Sequence, residues 1–393
     1  MNRRQFLMLT GTFTGGALLL PDFLHAFGRQ TQLVKGEQCV VFIQLNGGND
    51  GLNTFAPVDN PLYYELRPKI ALQQSDVISR FNGMAFHPAL RNFADMQQNG
   101  HLSVVQNVGY PEPVRSHFRS QEIWETSSAS NQYLSDGWLG RYLDLQCKDH
   151  NPTAGINIDI YDTLALKGQE PNHMTLRNLE KMKKKTKYID DDDVQLSGNP
   201  QLDFVRKLAE TVNEGSDVIR KALENAPAKN ITYPKSTLGA NLEWIATLIK
   251  GNLNSKVYYT SLGGFDTHQN QLIIHQNKLG DLNDAVFAFY NDMKTANLLQ
   301  NVTVVVFSEF GRRVKDNGSG TDHGTAAPMF VIGGSTTGKI IGNNPNLADL
   351  DQGDLKHEID FRSVYASVLQ HKLDFDPKKI GIPNEALHGL FNA

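Results

Sequence analysis

Cysteine is almost missing from this 393-residue chain, Cys39 and Cys147 being the two present. They do not form a CxxC pair, which excludes a thiolate zinc finger and a thioredoxin-like redox couple. An oxidising compartment would permit one disulfide between them, but Cys39 opens a very apolar run, which favours a simple buried thiol. Neither sign of charge dominates: Lys+Arg 38 against Asp+Glu 42 leaves a net charge of −4. The basic surplus of a nucleic-acid-binding chain is therefore lacking. Beyond Leu20 no apolar run approaches the roughly 20 residues that span a bilayer. No repeat of solenoid period is visible either. What the chain does have is 40% hydrophobic residues, enough to bury a large core.

The N-terminus reads Asn2-Arg3-Arg4-Gln5-Phe6-Leu7, followed by a mildly apolar stretch to Leu20 diluted by Thr10, Gly11, Thr12, Thr14, Gly15 and Gly16. A charged start, a short weakly hydrophobic segment and small residues at Ala26 and Gly28 describe a secretory leader. Paired arginines followed by x-Phe-Leu match the twin-arginine pattern, an address read by a receptor rather than an anchor. The expectation is a signal peptide over 1–28, delivery by the twin-arginine export machinery to the periplasm or medium, and a mature chain over 29–393 with no stable membrane anchor.

The mature part alternates strands and helices. Cys39–Leu45 is a continuous apolar, β-branched run, suited to a strand covered on both faces. Leu102–Val108, Lys256–Thr260, Val302–Phe307 and Pro328–Gly333 read as further strands. Helices are expected over Pro88–Met96, from Ser116, over Leu238–Ile249, over His275–Ala296, and from a capping Asp360 to Leu369. This order predicts an α/β fold with a doubly wound, mostly parallel sheet and helices on both faces. The stretch of about 149–235 differs in composition, with Lys181–Lys187 followed by Asp190–Asp193, and reads as an inserted cap with a solvated face.

In such sheets ligands bind outside the carboxyl ends of the strands. Asp50, Asp266, His268 and Glu309 all follow strands, and His323 with Asp322 precedes one. Carboxylates and imidazoles gathered at one sheet edge suit a divalent metal. Mixed N/O ligands favour Zn or Mn, while an oxygen-dominated set would suit Ca or Mg. Any one of these residues alone is as well read as a turn or cap residue. Ser116, at a helix start, is either an N-cap or a nucleophile activated by the metal. Arg115, His117 and Arg119 stand beside it as candidates to hold an anion.

Asn46–Gly51, Arg115-Ser-His-Phe118 with Ile123-Trp124-Glu125, Gly264–His268, Ser308–Arg312 and Asp322-His-Gly324 together resemble the exported family known as domain of unknown function 1501. That family is similar to the alkaline phosphatase and sulfatase superfamily. The resemblance implies an alkaline-phosphatase-like fold and one or two metal ions. It assigns Asp50, Asp266, His268, Glu309 and His323 as ligands, with His275 in reserve, and Ser116 as nucleophile. Phe310 stands where the superfamily has a metal-binding His, so His117 or Asp322 would have to substitute, one metal would have to suffice, or the site would not be catalytic. The Cys/Ser-x-Pro-x-Arg signature of formylglycine sulfatases is also lacking after Ser116. Two functions follow: a metal-dependent hydrolase of a phosphate or sulfate ester, on a small anionic ester or glycan, or a non-catalytic periplasmic binding or assembly protein with a degenerate metal site.

The leader generates one test. Arg3→Lys with Arg4→Lys should leave folded precursor in the cytoplasm when cell fractions are blotted, whereas normal periplasmic yield would mean a different export route.

Overall fold

The frame is set by the first strand. In the computed structural model, which describes residues 37–147, 150–177, 179 and 200–392, Cys39–Asn46 forms β1. The expected signal segment 1–28 and the charged runs 181–187 and 190–193 lie outside the described residues. Following β1 come a short turn of helix α1 (Gly51–Thr54), β2 (Phe55–Ala56), α2 (Pro61–Leu66), β3 (Ile78–Phe81) and β4 (Met84–Phe86). Next are α3 (Arg91–Gln98), β5 (Leu102–Gly109), α4 (His117–Thr126), α5 (Trp138–Gln146), β6 (Gly155–Asn157) and β7 (His173–Thr175). The second half supplies α6 (Pro200–Asn225), α7 (Thr237–Lys250), β8 (Val257–Gly263), α8 (Gln271–Thr295), β9 (Val302–Ser308) and β10 (Ala327–Ile332). The chain finishes with β11 (Ile340–Ile341), β12 (Leu350–Asp351), β13 (Asp354–Leu355), β14 (Ile359–Asp360) and α9 (Phe361–Lys372).

The main sheet runs β11-β5-β10-β9-β1-β8-β6-β7, with β14 as a ninth strand beside β5. All its pairings are parallel except those of β10, which runs antiparallel to both β5 and β9. The sheet is thus mixed, α/β and largely parallel as the strand–helix alternation predicts. Periodicity cannot show the reversal at β10, because strand direction depends on the path of the chain before it. Within the 149–235 range expected as an inserted cap, β6 and β7 join the edge of this sheet, β6 lying parallel to β8. Gly155-Ile156-Asn157 is too short a run to stand out as a strand.

Successive side chains of a strand point to opposite faces, and both faces of β1 are buried. Val40 and Phe42 enter a core with Trp124, Trp138, Phe361 and Tyr365 from α4, α5 and α9. Trp124 stacks on Phe307 and Phe361 at 5.3 and 4.3 Å. Val41, Ile43 and Leu45 are equally buried, on the face where α3 packs on β5 and α7 on β8. Truncating an aromatic such as Trp124 to Ala should cost about 3–5 kcal/mol. Register then positions the function: Asn46 lies opposite Gly263, and Leu45 opposite Ser308. The loops after β1, β8 and β9 therefore emerge side by side.

Beneath these loops lie two buried histidines. His275 Nε2 is 2.8 Å from Asn49 Oδ1, and His87 Nδ1 accepts from the Ala89 N–H. Burial holds His275 down to about 4 and His87 to about 3. In the unfolded chain both take up a proton near pH 6.5, so the unfolded state binds more protons below that pH. Stability should fall as pH drops from about 6.5 towards 4. Urea midpoints measured across this range should show it, with a shallower slope in His87→Asn, which keeps a cap acceptor. Equal slopes would remove the histidines from the account.

Candidate metal centre

Glycine lets the three strand-end loops meet. Gly47 has φ +118, and a Cβ there would lie 2.3 Å from the Asp266 backbone nitrogen. Gly48 has φ +71, and a Cβ would strike the Phe310 ring at 2.4 Å. The loops are then tied by Arg312, which is buried. Its guanidinium donates to the carbonyls of Gly48 (3.0 Å), Thr321 (3.1 Å) and Phe265 (3.1 Å). It also donates to Asp266 Oδ1 at 2.6 Å. Burial pushes the Asp266 carboxyl up, but Arg312 outweighs it and holds the group below the usual carboxylate range.

Around Asp266 three imidazoles turn their Nε2 atoms inward, each held from behind through Nδ1. His117, in the first turn of α4, donates Nδ1–H to Glu309 Oε1 at 2.7 Å. This bond raises its pKa, against the effect of burial. His323, on a bridge opposite Arg312, donates Nδ1–H to the Arg115 carbonyl at 2.8 Å. His268 places Nδ1 3.0 Å from Asp322 Oδ1. On the inner side, His323 Nε2 lies 3.1 Å from both His117 Nε2 and His268 Nε2. Asp266 Oδ1 lies 3.0, 3.2 and 3.6 Å from the Nε2 atoms of His268, His323 and His117.

A neutral imidazole has one N–H hydrogen, and the outer hydrogen bonds place it on Nδ1. The Nε2 lone pairs and the anionic Asp266 oxygen then face one another at 3.0–3.6 Å. A proton or a cation relieves that repulsion. His117, Asp266 and His323 offer ligand atoms all within 4.8 Å of one another. An ion bound at about 2.0–2.1 Å in tetrahedral geometry separates its ligand atoms by about 3.3 Å, close to the spacings found. The donor set therefore fits a divalent metal, and its imidazole richness suits Zn or Mn better than Ca or Mg.

The other expected residues lie elsewhere. Asp50 is fully buried and accepts from Arg67 Nη1 at 2.6 Å and from Gln271. Burial raises its pKa, but Arg67 more than reverses the effect. It is a structural anion beside the cluster, with Oδ1 unpaired. Glu309 stands behind His117, also accepting the Gly47 N–H at 2.9 Å. It orients the His117 ring, in the way carboxylates stand behind metal-binding histidines. His275, the reserve ligand, belongs to the Asn49 network. Arg119 is turned away onto Glu122, the carbonyls of Ala129, Ser130 and Gln132, and the Tyr133 ring. Arg115 pairs with Asp354, Nε to Oδ2 at 2.7 Å. Ser116 is the exposed N-cap residue of α4, and its side chain makes no cap bond. Phe310 lies 4.8 Å from the His117 ring and 5.1 Å from that of His323. His117, expected to hold an anion or to stand in for the imidazole missing at Phe310, is a member of the inner cluster.

Residues 103–387 match a family model described as protein of unknown function (DUF1501). No curated protein matches the chain. Among solved structures it is similar to the PsFucS1 sulfatase from Pseudoalteromonas sp., with 9% identity over 95% of this chain and 75% of that one, TM-score 0.42. It is similar to the phosphonate monoester hydrolase of Agrobacterium radiobacter, with 6% identity over 90% and 79%, TM-score 0.41. A third is the C-terminal periplasmic domain of EcEptC from Escherichia coli, with 10% identity over 91% and 90%, TM-score 0.41.

Metal analysis of purified variants separates ligands from neighbours. His323→Ala, Asp266→Ala and His117→Ala should lose bound metal and the metal-dependent rise in melting temperature, which reflects about 2.7 kcal/mol at a hundredfold excess over Kd. Glu309→Gln should weaken metal binding by about 10–100-fold. Asp50→Asn should keep the metal but lose about 3–5 kcal/mol of stability, because the Arg67 charge is left buried without its anion. Wild-type metal occupancy in all three alanine variants would overturn the ligand assignment.

Proposed function

We propose that this chain, which belongs to the DUF1501 family, is an exported metal-dependent hydrolase of a phosphate or sulfate ester. The observation that carries the reading is the inward convergence of the His117, His268 and His323 Nε2 atoms on Asp266 Oδ1. One divalent ion, Zn or Mn, is the cofactor proposed. Asp50 does not contribute to a second centre, because Arg67 already holds it. When bound, the ion supplies Lewis acidity towards the oxygens of the ester.

The remaining chemistry belongs to the chain. Ser116 is the proposed nucleophile, its hydroxyl free of any cap bond at the start of a 10-residue helix. The exposed N–H groups of that helix and the positive end of its dipole favour an anion at the same point. Arg115, next to Ser116, is the side chain proposed to steady the ester's charge. Glu309 and the Arg115 carbonyl keep the His117 and His323 rings from rotating. Phe310, packed against both rings, keeps water from one side of the cluster. The twin-arginine leader supports work outside the cytoplasm. No helix among the described residues is long and apolar enough to cross a membrane. Phe310 and the Arg67–Asp50 pair also favour a second reading, a non-catalytic binding protein that keeps one metal for structure.

Ser116→Ala distinguishes the two. With no side-chain cap to lose, melting should change by less than the roughly 1 kcal/mol of a typical cap deletion. Turnover of an aryl phosphate or sulfate with Zn²⁺ or Mn²⁺ should fall by about a thousandfold or more. Turnover that survives the substitution removes Ser116 as nucleophile. A wild type inert across a broad ester panel leaves the binding protein.

A further inference from the structure

The Phe310 ring that packs on His117 and His323 also lines a cavity of about 300 Å³. Tyr110, Pro113, Ala326 and Leu355 supply apolar wall beside it. Polar groups of this wall are turned to partners within the protein. The Tyr110 hydroxyl pairs with Ser120, Thr325 donates to the Leu355 carbonyl, and Arg115 and Arg313 hold Asp354. Glu112 and Asp351 also line the cavity and are exposed to solvent. Their charge repels an anion. The cavity therefore suits the uncharged part of a molecule whose anionic part lies on the metal side of Phe310.

Apolar surface continues outside it. Phe118, two residues beyond Ser116, is 88% exposed, and Tyr133 is 74% exposed. A lone exposed apolar side chain is ordinary, but Tyr133 is propped in place. The Arg119 side chain, 12% exposed, puts its guanidinium 3.9 Å from the centre of the Tyr133 ring. It also donates to the carbonyls of Ala129, Ser130 and Gln132, in the loop that carries the tyrosine. Ser130 Oγ in turn donates to the Pro111 carbonyl at 2.7 Å, tying that loop to the one with Tyr110 and Pro113. The cavity wall, the first turn of α4 and the Tyr133 loop are thus joined by direct contacts. Arg115 and Ser116 lie on the same stretch of chain. Contiguous exposed apolar surface of this kind marks a binding groove.

We propose that this surface receives the alcohol group of the ester and that this group is large and apolar. The substrate is then an amphiphile, with its phosphate or sulfate at the cluster and its hydrocarbon on Phe310, Phe118 and Tyr133. The inference rests on the ester-hydrolase reading for the identity of the anionic end. It also gives Arg119 a role other than holding the anion: a positioning residue that keeps an aromatic ring in reach of the substrate.

The test uses n-alkylphosphonates of two, four and eight carbons, which have no ester bond to cleave, titrated calorimetrically into the full mature chain loaded with Zn²⁺. Affinity should rise by about twofold for each added carbon, as expected when half of each methylene leaves water. Phe118→Ser with Tyr133→Ser, both at exposed positions, should leave melting unchanged. The pair should flatten the rise and weaken the eight-carbon phosphonate by about fivefold. An octyltrimethylammonium salt, which has the chain without the anion, should bind at least about tenfold more weakly than that phosphonate. Affinity indifferent to chain length, a rise that survives the double substitution, or equal binding of the ammonium salt each overturns the inference. Failure of the hydrolase reading alone would instead show as missing turnover of every ester with the chain-length rise intact.

Discussion

Arg312 is a buried cation with four acceptors, and the site depends on it. Its guanidinium reaches the loop after β1 through Gly48, the loop after β8 through Phe265 and Asp266, and the segment before β10 through Thr321. The Gly48 and Thr321 carbonyls would otherwise be unsatisfied buried acceptors, at about 1–3 kcal/mol apiece, while that of Phe265 also accepts the Thr267 N–H. The guanidinium also fixes the oxygen of Asp266 on which three imidazoles converge. One side chain thus satisfies the backbone of three loops and sets the charge of the centre they enclose.

Around it the cluster is built in two layers. Inner nitrogens face the centre, while Glu309, Asp322 and the Arg115 carbonyl hold the outer nitrogens. The outer layer thus decides ring orientation. Arg67 does the same for Asp50, also reaching the carbonyls of Val314 and Arg313. A strand-end carboxylate therefore meets a guanidinium there.

Much of this was legible in advance, where local rules apply. The apolar run at Cys39–Leu45, the glycines after it and the capping Asp360 specify strand, turn and helix through short-range sterics. Asp266 and His268 were legible because strand ends share one edge in a parallel sheet, whereas His323, which precedes β10, reaches that edge through the reversal of the strand. Long-range pairing was not. Nothing local announces that Arg67 reaches Asp50, that Glu309 lies behind His117, or that β10 runs antiparallel. Ser116 shows the limit of composition. A serine at a helix start reads as a cap, yet here the backbone starts the helix without its side chain.

The position of β1 constrains how the chain comes to its final state. Both neighbours of this central strand, β8 and β9, belong to the second half of the sequence, the register joining Leu45 to Leu262 and to Ser308. Loops that long close slowly, and the contacts that repay them arrive last. While synthesis proceeds, this apolar strand waits with both edges open, the condition under which strands pair with the wrong partner. A ribosome that stalls before residue 308 releases a chain unable to complete its own sheet, however well its helices have formed. Quality control of this protein is thereby tied to its carboxyl half: the last third of translation decides whether the first strand is core or aggregate.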